Sequence, residues 1–144
     1  MGRISYKLPN WEMRLIRFVN DELGKPFDWG KRDCSTLAVS CLREMVGDLD
    51  TPWPPFDYTN EREAVRFAKG KLSFHDFLIE RFDARPVKPN FEQRGDFIFG
   101  HNGLFDCCHV VLGQKAVSVD PEQGVCQMRV KDLNSEDRRV LRIL

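Results

Sequence analysis

Lys25-Pro26-Phe27-Asp28-Trp29-Gly30-Lys31-Arg32-Asp33-Cys34-Ser35-Thr36-Leu37-Ala38 is the stretch from which the fold is read. Its first half, broken by Pro26 and Gly30 and crowded with charges, has no apolar period and reads as loop. Its second half opens a helix. From Cys34 the apolar positions run Cys34, Leu37, Ala38, Cys41, Leu42 and Met45, the i, i+3, i+4, i+7 stripe of a buried helix face. Asp33 stands where an N-cap belongs and Gly47 where a helix stops. Cys34 is thereby expected in the first turn, among unpaired backbone N–H groups at the positive end of the helix dipole. There a thiol pKa is pushed down and the reactive thiolate becomes populated.

Outward toward the N-terminus, a helix is predicted from Pro9-Asn10, with Asn10 as its cap and Glu12 near the positive end. Trp11, Leu15, Phe18, Val19 and Leu23 form its apolar face, and Gly24 ends it. Outward toward the C-terminus, residues 48–58 hold Pro52, Pro54 and Pro55 among Trp53, Phe56 and Tyr58. They read as an irregular loop that either walls a groove or tucks onto the domain. Asn60 caps a short helix with Glu63 as its capping-box partner, and Ser73 caps another that turns Phe74, Phe77, Leu78 and Phe82 inward and His75 to solvent. Residues 85–90 read as a linker into the strand half.

The second half has a shorter period. Strands are predicted at residues 96–99, 104–112, 116–119, 125–130 and 139–144, with Asn102-Gly103 as a hairpin turn. Helices first (residues 9–82) and an antiparallel sheet afterwards (residues 94–144) make a single α+β domain over residues 1–144.

Composition limits the function classes. A chain of 144 residues buries a core without staples, and 42% hydrophobic residues with 11 Phe can fill it. The 22 basic and 22 acidic residues cancel, so neither nucleic acid nor an anionic membrane surface is indicated as a partner. No apolar run has the length of a signal sequence or a membrane span, so synthesis in the bacterial cytoplasm is expected. Five cysteines leave at least one thiol unpaired. Cys107-Cys108-His109 resembles a metal cluster only on paper. Neighbours on a strand point to opposite faces, so Cys107 and His109 share a side and Cys108 does not. No C-x-x-C completes a zinc site, and no metal or other cofactor is expected.

Three motifs in order carry a family resemblance. Pro26-Phe27-Asp28-Trp29-Gly30 followed by Asp33-Cys34-Ser35 resembles the nucleophile segment of the NlpC/P60 cysteine peptidases, P-Y-x-W-G followed by D-C-S-G-L. Arg94-Gly95-Asp96-Phe97-Ile98-Phe99 is similar to the G-D-L-V-F strand of that family. His109-Val110-Val111-Leu112-Gly113 resembles its H-V-G-I-Y-L-G strand, whose first residue is the catalytic histidine. The likeness is greatest to short, single-domain versions in phage and prophage tail assembly. It implies a papain-like fold and a cysteine peptidase that hydrolyses amide bonds in peptidoglycan stem peptides, acting at a virion tail tip beside other tail-tip or hub proteins.

The same resemblance sets the roles. Cys34 is the expected nucleophile and His109 the base, because an imidazole can hold the thiol proton and later protonate the leaving amine. His101 is the alternative base, outside the motif. A third group should orient the imidazole; the family takes it from the following strand, where Asp120 is chosen over Ser118. The Cys34 N–H is a natural oxyanion donor, with Asp33, Ser35, Trp29 and Phe27 around the substrate. Phe27 replaces the usual Tyr and Thr36 the usual Gly, which alters the walls of the site. Composition alone favours an inert buried thiol at Cys34, and two further readings stay open: a catalytically silent tail-assembly or hub protein that retains the fold, and an amidase or acyltransferase using the same Cys–His pair.

Overall fold

A computed structural model describes residues 6–47, 58–69, 74–101, 106–133 and 138–144. Four helices come first: α1 (Trp11–Glu22), α2 (Cys34–Val46), α3 (Glu61–Lys69) and α4 (Phe74–Phe82). Six strands follow: β1 (Arg85–Val87), β2 (Phe97–His101), β3 (Asp106–Val111), β4 (Lys115–Asp120), β5 (Gly124–Arg129) and β6 (Arg139–Arg142), with a 3-10 turn at Val130–Asp132. The strands form one antiparallel sheet in the order β1-β6-β2-β3-β4-β5. The expected α+β class and order of halves are therefore observed.

Strand alternation gives the sheet two apolar faces. Phe97, Phe99, Cys108, Val110, Leu112, Val117, Val119 and Leu141 share one cluster with Leu15 and Val19 of α1 and Leu37, Ala38, Cys41, Leu42 and Met45 of α2. Ile98, Val111, Ala116, Val130 and Val140 form a second cluster on the other side. The helix-facing cluster is the larger. Phe97, Leu15, Leu42 and Met45 are each fully buried in it, and each contributes about 1.5–3 kcal/mol of transfer free energy.

The boundaries differ from the sequence reading where contacts between distant segments decide them. Residues 85–87, read as linker, pair with β6, and Pro86 is tolerated there because β1 is an edge strand. Asp96, read as a strand residue, lies just before β2 with its carboxylate fully buried. Arg142 grips it with Nε on Oδ1 and Nη2 on Oδ2, both at 2.9 Å. Asn10 makes no side-chain cap bond to α1. At α3 the Asn60 side chain accepts from Glu63 N–H, but the return arm of Glu63 goes to Thr59 N–H rather than to Asn60. Residues 48–57, Ser73 and Asn102-Gly103 lie outside the described residues.

The loop that leads into α2 is strapped to the sheet edge. Gly24 N–H donates to Val125 O and Val125 N–H to Lys25 O, both at 2.9 Å. Gly124 allows this close approach: its φ is +76°, and a Cβ there would fall on the Lys25 carbonyl. The position of Cys34 is thus set from both the helix and the sheet.

Candidate functional site around Cys34

Cys34 is the first residue of α2 and is partly exposed. The turn that presents it is over-determined by Asp33, which is 2% exposed. Asp33 Oδ1 accepts from Ser35 N–H at 3.0 Å and Thr36 N–H at 2.9 Å, and Thr36 Oγ1 accepts in return from Asp33 N–H at 2.8 Å. This is a reciprocal capping box in which Thr36 supplies the arm usually given by Glu or Gln. Asp33 Oδ2 accepts from Gly30 N–H at 3.0 Å and from the Tyr58 hydroxyl at 2.7 Å. Four donors on one buried carboxylate fix both the preceding loop and the first helical turn, and the Cys34 thiol with them.

An aromatic wall stands beside this turn. Phe27 and Trp29 meet edge to face at 4.7 Å, and Trp29 and Tyr58 lie 6.3 Å apart. Tyr58 is 5% exposed. Burial holds its phenol protonated, with the charge of Asp33 and their hydrogen bond adding to the effect and the nearness of Cys34 contributing least. The sequence reading missed Tyr58 as a partner of Asp33. The only signal was its place at the end of the aromatic Pro-rich segment, and nothing there names a partner 25 positions upstream.

The sheet side of the site departs from the expected triad. Cys108 of β3, 6% exposed, lies in the helix-facing cluster, and burial raises its thiol pKa well above the ordinary value, reinforced by Cys34 and then Cys41. His109, the expected base, follows Cys108 directly and pairs with Ile98 across the β2–β3 ladder. Ile98 and Val111 both belong to the opposite cluster. Alternation therefore turns His109 away from α2, and the structure does not bring it to Cys34. Burial alone lowers the His109 pKa. Its imidazole has no hydrogen-bond partner among the described residues.

The expected orienting residues are engaged elsewhere. Asp120 Oδ2 accepts from Glu122 N–H and Gln123 N–H, both at 2.9 Å, and so closes the β4–β5 turn instead of orienting an imidazole. Ser118 Oγ donates to the Cys108 carbonyl at 2.9 Å. His75, expected in solvent, packs edge-on against Phe99 at 5.1 Å with Nδ1 at 3.0 Å from Asp76. His101 closes β2, in register with Asp106, two residues beyond Phe99 and four beyond Phe97, both of the helix-facing cluster.

Among the described residues no group of three or more His, Cys, Asp or Glu side chains could hold a metal ion. No helix among them is long and apolar enough to cross a membrane. The chemistry available at Cys34 is that of a partly exposed thiol at a helix N-terminus, bordered by an aromatic wall and by the buried thiol of Cys108. A family model described as a domain of unknown function, DUF6950, matches residues 6–135. No curated protein matches the chain.

Proposed function

The chain belongs to the DUF6950 family, a domain of unknown function, and from its site we propose a cysteine hydrolase of the papain-like, NlpC/P60 type that cleaves amide bonds in peptidoglycan stem peptides, with Cys34 as nucleophile. The observation that carries this reading is the Asp33 network, which fixes a partly exposed thiol in the first turn of a helix backed by an antiparallel sheet. A helix start supplies a positive field, which favours thiolate over thiol.

In this reading the Cys34 thiolate attacks the amide carbonyl carbon, and the oxyanion forms next to the Cys34 N–H. Since alternation turns His109 to the opposite face, the base in this reading is His101, the alternative that the sequence offered. It takes the thiol proton and returns it to the leaving amine. Water then hydrolyses the thioester. The tail-tip setting and its neighbouring hub proteins enter through the family resemblance of the three motifs.

The second reading is the catalytically silent tail-assembly or hub protein, favoured by the placement of Cys108, and not an imidazole, on the helix-facing side of β3. One experiment separates the two. Iodoacetamide labelling of Cys34 is followed against pH in the wild type, His101→Ala and His109→Ala, with the cysteines resolved by peptide mapping. The hydrolase reading expects labelling well below pH 8.5, the ordinary thiol value, lost in His101→Ala and kept in His109→Ala. Labelling no faster than an ordinary thiol in all three proteins overturns it in favour of the silent scaffold. A purified-sacculus digest with Cys34→Ala as the blank then tests the substrate.

A further inference from the structure

We propose that the cavity between α1 and the β3–β4 hairpin is a binding site for an organic carboxylate, the carboxyl group being held by Lys115 with Arg94 and the apolar portion resting on Ile16, Val19 and Leu112. The cavity measures about 430 Å³, the size of sites that take small organic ligands. It lies four residues along the chain from Cys108, about 13 Å of extended strand, and it makes no use of thiol chemistry.

The lining has an asymmetric chemistry. Ile16, Val19 and Leu112 give it an apolar floor. Its polar members are the amides of Asn20, Gln114 and Gln127 and the cations of Arg94 and Lys115, with no carboxylate among them. Arg94 is anchored rather than free: Nε donates to Leu112 O at 3.0 Å and Nη1 meets Glu12 Oε2 at 3.0 Å, which leaves Nη2 uncommitted among the described residues. That anchoring presents the guanidinium at low entropic cost to a ligand. Lys115 and the three side-chain amides make no side-chain hydrogen bond or ion pair among the described residues.

The hairpin adds backbone donors. The Gly113 and Gln114 N–H groups make no hydrogen bond among the described residues, and a Cβ built on Gly113 meets nothing within 4 Å. A turn of this kind next to a lysine offers a carboxylate both charge and N–H donors. A cation would meet Arg94 and Lys115 with no carboxylate in the lining, and a wholly apolar molecule would leave both cations unused. A molecule with one carboxylate and a short apolar portion satisfies both parts of the lining. The C-terminus of a peptide and a free aliphatic acid share that chemistry.

The test is an amide-resolved NMR titration of the full chain with three probes: N-acetyl-leucyl-alanine with a free carboxyl group, its C-terminal amide, and 4-methylpentanoate. Saturable shifts centred on Gly113, Gln114 and Lys115 are expected with the free acid, and binding roughly tenfold weaker with the amide. Lys115→Gln, at an exposed position, and Gln127→Glu, which adds a negative charge to the lining, should each weaken the acid by a similar factor with the rest of the spectrum unchanged. A peptide C-terminus is the source if the dipeptide binds more tightly than 4-methylpentanoate, and a free acid is the source if the order reverses. Equal binding of acid and amide, shifts centred elsewhere, or no saturation overturns the proposal.

Discussion

The Tyr58 hydroxyl reaches across 25 positions of sequence to donate a 2.7 Å hydrogen bond to Asp33, the buried cap of the helix that carries Cys34. Tyr58→Phe removes that donor and leaves Asp33 Oδ2 with the Gly30 N–H. A loss of about 1–3 kcal/mol in unfolding free energy is expected from urea denaturation. A loss below 0.5 kcal/mol would mean that the carboxylate finds water in place of the phenol.

The cysteines should separate by reactivity in the native protein. Cys41 and Cys108 are buried, and desolvation raises the pKa of each thiol. Neither should be alkylated by iodoacetamide until the protein is unfolded, whereas the partly exposed Cys34 and Cys126 react without unfolding. Burial raises the Cys126 pKa, reinforced by Asp120, so its labelling should require the more alkaline conditions of the two. Mass mapping after timed labelling reads all four.

His109 gives the fold a pH dependence of definite sign. Burial lowers its folded pKa below the ordinary 6.5, so the unfolded chain binds the proton more tightly. Its contribution is fully favourable above pH 6.5 and is lost as pH falls through the folded value. Urea midpoints of wild type and His109→Gln, compared from pH 7.5 down to 5, should converge because the wild type loses stability faster. A constant difference would show that His109 titrates alike in both states.

Arg142→Met removes the bidentate partner of Asp96, whose carboxylate is 0% exposed and then keeps the Gln93 N–H, a neutral group, as its one hydrogen-bond donor among the described residues. Breaking such a pair from one side leaves a buried charge with Lys7 still in its field, and a cost of about 3 kcal/mol is expected, the lower end of the range because Lys7 remains and Arg142 is partly exposed. The unfolding midpoint of the variant measures it. A change of less than 1 kcal/mol would mean that water enters to solvate Asp96.

Gly124→Ala should cost about 3 kcal/mol, since it combines a positive φ with a Cβ aimed at the Lys25 carbonyl. The strap between the pre-helix loop and β5 would have to move, and hydrogen exchange of Val125 N–H should accelerate with it. Wild-type stability would show that the strap shifts freely.

Much of the fold was legible because local signals and burial agreed. The Asp33 cap, the Gly47 stop and the apolar stripe from Leu37 to Met45 each pointed to α2, and the structure places the helix at Cys34–Val46. The site was less legible, and His109 shows why. Period-two alternation correctly put His109 and Cys108 on opposite faces, but alternation cannot say which face the helices cover. That choice depends on long-range packing of α1 and α2 onto Phe97, Val110 and Val117. Edge strand β1 escaped for a related reason: three residues containing a proline carry no strand signal, and only pairing with β6 makes them one. Tyr58 and Asp33 likewise meet through tertiary structure alone.

The strand order carries a consequence for biosynthesis. β2 is followed directly by its partner β3, but its other neighbour is β6, about forty residues later in the chain, and β1 waits for the same strand. As the polypeptide emerges from the ribosome, β2 therefore keeps one hydrogen-bonding edge open while three further strands are made. The seam closes only when Arg139–Arg142 slots between β1 and β2. Folding is gated by a late, non-local insertion, and nascent chains that stall before that point present an unsatisfied edge flanked by Phe97 and Phe99, which makes them candidates for chaperone capture or co-aggregation.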